Sequence, residues 1–473
     1  MQARRDQVQA QTYVVGRLVG ALVAAESDGL ESPQRRTVIG AIAGVLVGAL
    51  VVVGFAVYGF LVPGGSDSWR KPGVLITEKE TGNRYVFDSQ NERLFPVLNY
   101  TSALLLFDGK IPKTVNVSQK SLRGVAHGPS VGIVGAPDVL PAPGALDGQV
   151  WSVCALVARD SAGAVLTATT LTIGQQKGAA GRRFAPDEAI VALVPGGDNY
   201  LVWSGRRFKL TRPWLAQVLG FKSAILVEKG WLEALPVGPD LKPVAVPGRG
   251  EDGPIVDGRP AKIGELFFVG PAAAPERRFL LQRDGLSELS PVAYAMVAAD
   301  PETVELYGGG RVEPVELSPA ALTRPFSRQP AFLDEKALPQ SPLRAVEAPA
   351  DSAWCARRTT ADGGAEVGVE LTAGPPAAAA ELVQGSAGVT RTSDTADAVA
   401  VTPGAGGLVF PGRENQAPGS VLFLLTDSGI KYPIASGAVA QQLGYAVEKA
   451  RPVPRQLLDM LPTGPLLQSF ASS

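Results

Sequence analysis

The sequence predicts an α+β fold: one N-terminal transmembrane helix, then an elongated outer region with a disulfide-clamped central domain and four small β-strand/helix repeats. Three observations carry that expectation. Thr37 to Val62 reads TVIGAIAGVLVGALVVVGFAVYGFLV without one charged residue. Two distant segments, YLVWSGRRFKLTRPWLAQVLG and LFLLTDSGIKYPIASGAVAQQLG, share one pattern. The 2 cysteines, Cys154 and Cys355, stand far apart, each shortly after a tryptophan.

At 473 residues the chain exceeds one ordinary core, so several domains are expected. Its 44 basic and 45 acidic residues nearly cancel, giving a net charge of −1. That balance argues against a nucleic-acid binder, which needs a basic face to neutralise phosphates. With 1 histidine, His127, a histidine-based metal site or proton relay has little to work with, and no metal is expected.

The first element is a helix. In QAQTYVVGRLVGALVAAESDGLESP, residues Val15, Leu18, Val19, Leu22 and Val23 fall at helical spacing, while Gln11, Arg17 and Glu26 can face water. Gly29 can end the helix, and Pro33 discourages its continuation. A helix of about four turns is not stable alone in water. The stripe of Val15, Leu18, Val19 and Leu22 therefore needs a cover. Few basic residues line it, which favours a partner protein over an anionic membrane surface.

The apolar run follows. As a helix it reaches roughly 39 Å, enough to cross a hydrocarbon core of about 30 Å with some tilt. A buried core helix of this length would carry a polar face. A cleaved signal sequence would be shorter and nearer the N-terminus. Arg4, Arg5, Arg17, Arg35 and Arg36 precede the span, and only Arg70 and Lys71 follow it closely. The positive-inside tendency places the N-terminus in the cytoplasm. Gly40, Gly44 and Gly48 recur every four residues, stacking small residues on one face where a second helix can pack.

In the outer region, an oxidising compartment makes a Cys154–Cys355 disulfide the natural reading, with two buried thiols as the alternative. A bond between them would bring the segments around residues 150 and 355 together. The repeated unit reads as strand, turn, strand, helix. A β-branched and aromatic run suits a strand. Gly205 or Gly429 supplies a tight turn, and Phe208/Leu210 or Tyr432/Ile434 alternate onto one face. Pro213 can open the helix, and Gly220 and Gly444 can cap its end. NRYVFDSQNERLFPVLNYTSALLLF is a third copy, with Phe95 at the aromatic position. RRFLLQRDGLSELSPVAYAMVAA is a looser fourth, whose register the sequence leaves open.

These features together resemble the EccB family, the single-span membrane component of the type VII (ESX) secretion system of actinobacteria. The resemblance rests on RRDQVQAQTYVVGRLVGALV, LFPVLNYTSALL, GPSVGIVGAPDVLP followed by WSVC, YLVWSGRRF, LFLLTDSGIKY and DMLPTGPLL, in that order. It implies a cytoplasmic helix (residues 1–36), a transmembrane helix (37–62) and a periplasmic part. The periplasmic part divides into repeat one (63–121), a first central segment (122–182), repeat two (183–250), repeat three (251–325), a second central segment (326–405) and repeat four (406–473). A central disulfide is a family feature, and Cys154 and Cys355 occupy matching positions. The family further implies a core complex in the plasma membrane with EccC, EccD and EccE, self-association through the periplasmic part, and contact with a mycosin protease or the cell wall. A proline- and alanine-rich connector, Ala373–Ala380, needs no regular structure.

No residue set suggests catalysis. Gly128-Pro129-Ser130-Val131-Gly132 matches a G-x-S-x-G elbow, but the residues after it cannot begin a helix and His127 lies upstream. GQQKGAAGRR and Gly404-Ala405-Gly406-Gly407 lack the Lys-Ser/Thr of a phosphate loop. Some family members are described as ATPases, yet no ATP cradle is recognisable here and no cofactor is expected. The acidic pairs Glu313/Glu316 and Asp187/Glu188 read as solvated surface. Trp203, Trp214, Trp231 and Tyr432 could stack on sugars, as a wall-binding module would require, but Trp203 and Tyr432 fall on apolar strands and suit a core better. The expectation is a structural subunit, with an ATP-hydrolysing component or a wall anchor as the alternatives.

Overall fold

A computed structural model describes residues 2–24, 33–61, 67–107, 112–146, 150–159, 165–174, 181–242, 245–270, 276–323, 326–327, 338–349, 352–361, 364–373, 387–413 and 415–470. The chain forms two compact units, residues 1–96 with 113–130 and residues 97–112 with 131–473.

The first unit opens with helix Gln2–Ala24. It starts earlier than the hydrophobic spacing suggested, because Arg4, Arg5 and Gln7 form helix well without needing a buried face. The next helix is Pro33–Leu61. Pro33 opens it, as suits a residue whose missing N–H is an orphan in the first turn anyway. Among the described residues this is the one helix long and apolar enough to cross a membrane; its span Thr37–Tyr58 has a mean hydropathy of 2.7 and none of it is buried by protein. Gly29, Glu26 and Val62 lie outside the described residues, as does most of the Ala373–Ala380 connector.

The unit ends in a sheet ordered Lys113–Val117, Val74–Glu78, Arg84–Asp88, Arg93–Pro96, Ala126–His127. Trp69, Ile76 and Leu94 are fully buried on it, and Trp69 meets the edge of Phe87 at 5.3 Å between ring centroids.

The second unit is built around a six-stranded sheet ordered Ala398–Val401, Val165–Ile173, Trp151–Arg159, Ser352–Ala361, Gly364–Ala373, Arg182–Arg183. Its two faces differ, as alternation along each strand requires. One face carries Trp151, Val153, Leu171, Ile173, Trp354 and Val369, which form a continuous core. The other carries Cys154, Cys355 and the polar neighbours Thr170 and Glu370 in direct register.

Three further sheets share one plan. In each, three antiparallel strands precede a helix, and a final strand returns parallel to the first. Repeat two orders Arg206–Leu210, Asn199–Trp203, Glu188–Leu193, Ile225–Leu226. Repeat three orders Gly285–Leu289, Arg277–Gln282, Leu266–Val269, Val315–Glu316. Repeat four orders Lys431–Ile434, Leu422–Leu425, Gly407–Pro411, Arg451–Val453. The first unit's sheet runs the same way, with Lys113–Val117 parallel to Val74–Glu78.

The helices start on local caps. Asn99, Ser290 and Ser436 have extended backbones, and their side-chain oxygens accept from Ser102, Ala293 and Val439 N–H groups. Repeat two uses Pro213 at that position, without a side-chain cap. Gly220 and Gly444 end their helices at the same φ of 89°, a conformation that favours glycine.

Repeats two and four do not simply project from the central sheet. Ile190, Val202, Val227, Trp231 and Leu232 of repeat two join the central core, as do Val409, Leu425, Leu457, Leu458 and Leu461 of repeat four. Trp231 is fully buried, and its Nε1–H donates to the Trp354 carbonyl at 2.7 Å.

Candidate functional site

The disulfide is the chemical centre of the second unit. Cys154 and Cys355 face each other across adjacent antiparallel strands, with Cα atoms 4.0 Å apart and a sequence separation of 201. Both are nearly inaccessible to solvent. Beside them Glu370 is a buried carboxylate, reached by Arg183 at 3.2 Å and Arg357 at 3.5 Å. Pairing with two guanidiniums offsets the cost of taking a carboxylate away from water.

The N-terminal candidates lie on long helices. Val15, Leu18 and Leu22 are exposed, and Val19 is half-buried. A Cβ added at Gly40, Gly44 or Gly48 would meet nothing within 4 Å, so these three positions leave room for another helix.

The G-x-S-x-G match has a structural explanation. The Gly128 N–H donates to the Leu94 carbonyl at 2.8 Å, and a Cβ there would fall 2.4 Å from the Phe95 ring. Gly238 and Gly464 do the same for Phe208 and Tyr432: their N–H groups reach the Arg207 and Lys431 carbonyls, and an added Cβ would sit 2.4 Å and 2.3 Å from the rings. The sequence reading missed this seal. A Gly-Pro pair downstream of each aromatic (Gly128-Pro129, Gly238-Pro239, Gly464-Pro465) is the signal that marks it.

The remaining candidates resolve as surface or core. The Gly404 N–H donates to Asp427 at 2.9 Å and the loop leads into strand Gly407–Pro411, so a carboxylate already occupies the place of an anion. Within GQQKGAAGRR, residues 175–180 lie outside the described residues. Asp187 is bonded to Arg344, which holds its carboxyl below the usual range. The Ala185 N–H and then Arg182 do the same for Glu188. Glu313 and Glu316 are exposed. Trp231 and Tyr432 are buried, which removes both from sugar stacking. Trp203 and Trp214 are half-buried, and the Trp203 Nε1–H donates to the Pro186 carbonyl at 2.7 Å. Among the described residues no cluster of three or more His, Cys, Asp or Glu is arranged to hold a metal.

Two interior charges stand out. Burial pushes the Glu228 carboxyl up, helped by the nearby Asp397 carboxylate and opposed by Thr167 and Thr169 hydroxyls. Burial pushes the Lys431 ammonium down, and its Nζ donates to the Leu458 carbonyl at the end of helix Arg455–Asp459.

Among the described residues, fold and site define a class: a protein with one candidate membrane-spanning helix, a disulfide-bonded sheet and a series of like-planned sheets. The family described as "Type VII secretion system ESX-1, transport TM domain B" matches residues 2–473, so the chain belongs to the EccB family of type VII secretion. Among its relatives is the "ESX-3 secretion system ATPase EccB3" of Mycolicibacterium smegmatis, 28% identical over 489 residues, covering 98% of this chain and 89% of the relative. The "ESX-5 secretion system ATPase EccB5" of Mycobacterium tuberculosis is 27% identical over 484 residues, covering 98% and 91%. A solved "Structure of EccB3 dimer from the ESX-3 core complex" superposes with a TM-score of 0.65 at 25% identity, covering 84% of this chain and 98% of that one. An intact ESX-5 inner membrane complex contains a chain of the same fold, with a TM-score of 0.63 at 24% identity and coverage of 98% and 94%.

Proposed function

We propose that this chain is a structural core subunit of an ESX membrane complex that organises the complex's periplasmic face. The observation that carries the reading is the continuous core joining repeat two, the central sheet and repeat four. Such a core makes a rigid platform, and rigid platforms position partners. The N-terminus lies in the cytoplasm and the sheets in the periplasm. Arginines before the span and a buried disulfide both favour that orientation.

The exposed stripe of Val15, Leu18 and Leu22 and the open face of Gly40, Gly44 and Gly48 would take up EccC, EccD and EccE. The periplasmic part would self-associate, as the relative solved as a dimer does. A mycosin protease and the cell wall are further periplasmic contacts. The domain division set out from the sequence serves as the working division of the chain, and the reading requires no cofactor.

The relatives' name keeps ATP hydrolysis as a second reading. Detergent extraction followed by native mass analysis tests the first: EccC, EccD and EccE should come off with the chain in one assembly, and recovery of a lone monomer would overturn it. Thiol labelling in whole cells should find Cys154 and Cys355 unreactive before reduction. Purified periplasmic part should hydrolyse ATP no faster than a denatured control; a rate abolished by a point substitution would favour the enzyme.

A further inference from the structure

The cleft where repeat two, the central sheet and repeat four meet has no role in the reading above. It encloses about 600 Å³ and takes one arginine from each part: Arg206 from repeat two, Arg358 from the central strand Ser352–Ala361, and Arg413 from the segment after Gly407–Pro411. One carboxylate, Glu366, lines it as well, and Arg183 draws on that carboxylate from 3.7 Å. The lining carries more guanidiniums than carboxylates. Like charges gathered in a concave site raise the local potential and concentrate counter-ions there. Among the described residues, the Arg206 and Arg413 side chains have no ion pair.

The cleft is also held in shape. The repeat-two hairpin turns at Ser204 and Gly205 with φ of 48° and 69°, and a Cβ at Gly205 would fall 1.8 Å from the Val367 carbonyl. The turn therefore abuts the central hairpin so closely that only glycine fits, and Arg206 leaves it in a fixed direction. Guanidinium forks drawn from three parts of the fold match an anion with several oxygens better than they match one more carboxylate.

We infer that this three-arginine cleft binds a phosphate group, and that the bound group bridges repeat two, the central sheet and repeat four. The inference does not depend on whether the chain works as scaffold or enzyme. A free phosphate and a phospholipid headgroup share this chemistry, and the experiment separates them.

The full chain in detergent is titrated with inorganic pyrophosphate and, separately, with glycerophosphoglycerol, with binding read by calorimetry and by the rise in thermal midpoint. Saturable binding that weakens with salt is expected from at least one of the two. Arg206→Gln and Arg413→Gln should each weaken it about tenfold, from the loss of one charge-assisted contact. Arg283→Gln, which removes a surface ion pair with Glu251 elsewhere, should leave it unchanged. Arginine-dependent binding of pyrophosphate alone assigns a free phosphate, and of the diester assigns a headgroup. No saturable binding, binding indifferent to Arg206 and Arg413, or arginine-dependent capture only of a polyglutamate peptide would each overturn the inference. Both arginines are exposed, so the variants should retain the parent's unfolding transition in the absence of ligand, and that transition is measured alongside.

Discussion

Repeats two and four differ from repeat three in how they close the same sheet. In the first two, a buried ring (Phe208 or Tyr432) lies under a glycine (Gly238 or Gly464) whose N–H bonds back to the strand. In repeat three, the matching backbone bond runs from the Ser327 N–H to the Leu286 carbonyl at 2.9 Å. The ring is replaced by Ser287 and the glycine by Ser327. Ser287 is buried and accepts from the Gln282 amide at 3.1 Å, while Phe326 stacks on Phe279 nearby. Topology and the backbone bond are thus kept while the side-chain seal is exchanged. Strand order sets the plan, and the seal is one of several ways to fill it.

The largest break in that comparison is to empty the seal. Phe208→Ala should cost about 3–5 kcal/mol, the range for removing a buried ring. Native-state hydrogen exchange should show repeat two opening ahead of repeat three.

Gly464→Ala or Gly238→Ala comes next. The new methyl would press into a ring that cannot withdraw, at a cost of about 1–3 kcal/mol. Ser327→Ala should be milder, since it adds no atoms and loses only a hydroxyl bond to Asp284 at an exposed site. Denaturant unfolding of the three variants side by side checks this.

Ser287→Ala should cost about 1 kcal/mol, by removing the hydroxyl that accepts from the Gln282 amide. A loss as large as that of Phe208→Ala would show that repeat three depends on its polar pair as repeat two does on its ring.

The smallest effect concerns Glu228, at the join of repeat two with the central sheet. Its folded pKa is raised, so between the ordinary carboxylate value and the raised one the native state holds a proton that the unfolded chain has released. Stability therefore falls as pH rises through that window, and above it the full penalty remains. Glu228→Gln should remove this dependence and gain no more than about 1 kcal/mol at neutral pH, because solvent screening limits the penalty of a partly exposed group. Thermal midpoints measured from pH 4.5 to 8 test the sign.

Some of this was legible and some was not, for physical reasons. The apolar run at Thr37 announces a span because nothing else in a chain omits charge for so long. Two cysteines admit one pairing. The middle strands and helix of repeats two and four could be read from aromatic and glycine spacing. The first strand of each repeat was not, since runs such as Glu188–Leu193 are buried at four consecutive positions and show no alternation. The returning strands Ile225–Leu226 and Val315–Glu316 are too short to carry any period. Repeat three's register stayed open because Ser287 stands where its siblings have a ring. The arginine cleft draws Arg206, Arg358 and Arg413 from distant sequence, and only the shared core reveals that they meet.

The bond between Cys154 and Cys355 also reroutes tension. Drawn by its ends, the outer portion would pass the force from one central strand straight to its neighbour through two sulfur atoms. Everything threaded between them, repeats two and three included, is bypassed along the covalent path. A pull on the two ends would load the backbone itself only on either side of that shortcut, and would reach repeat two through its packing alone.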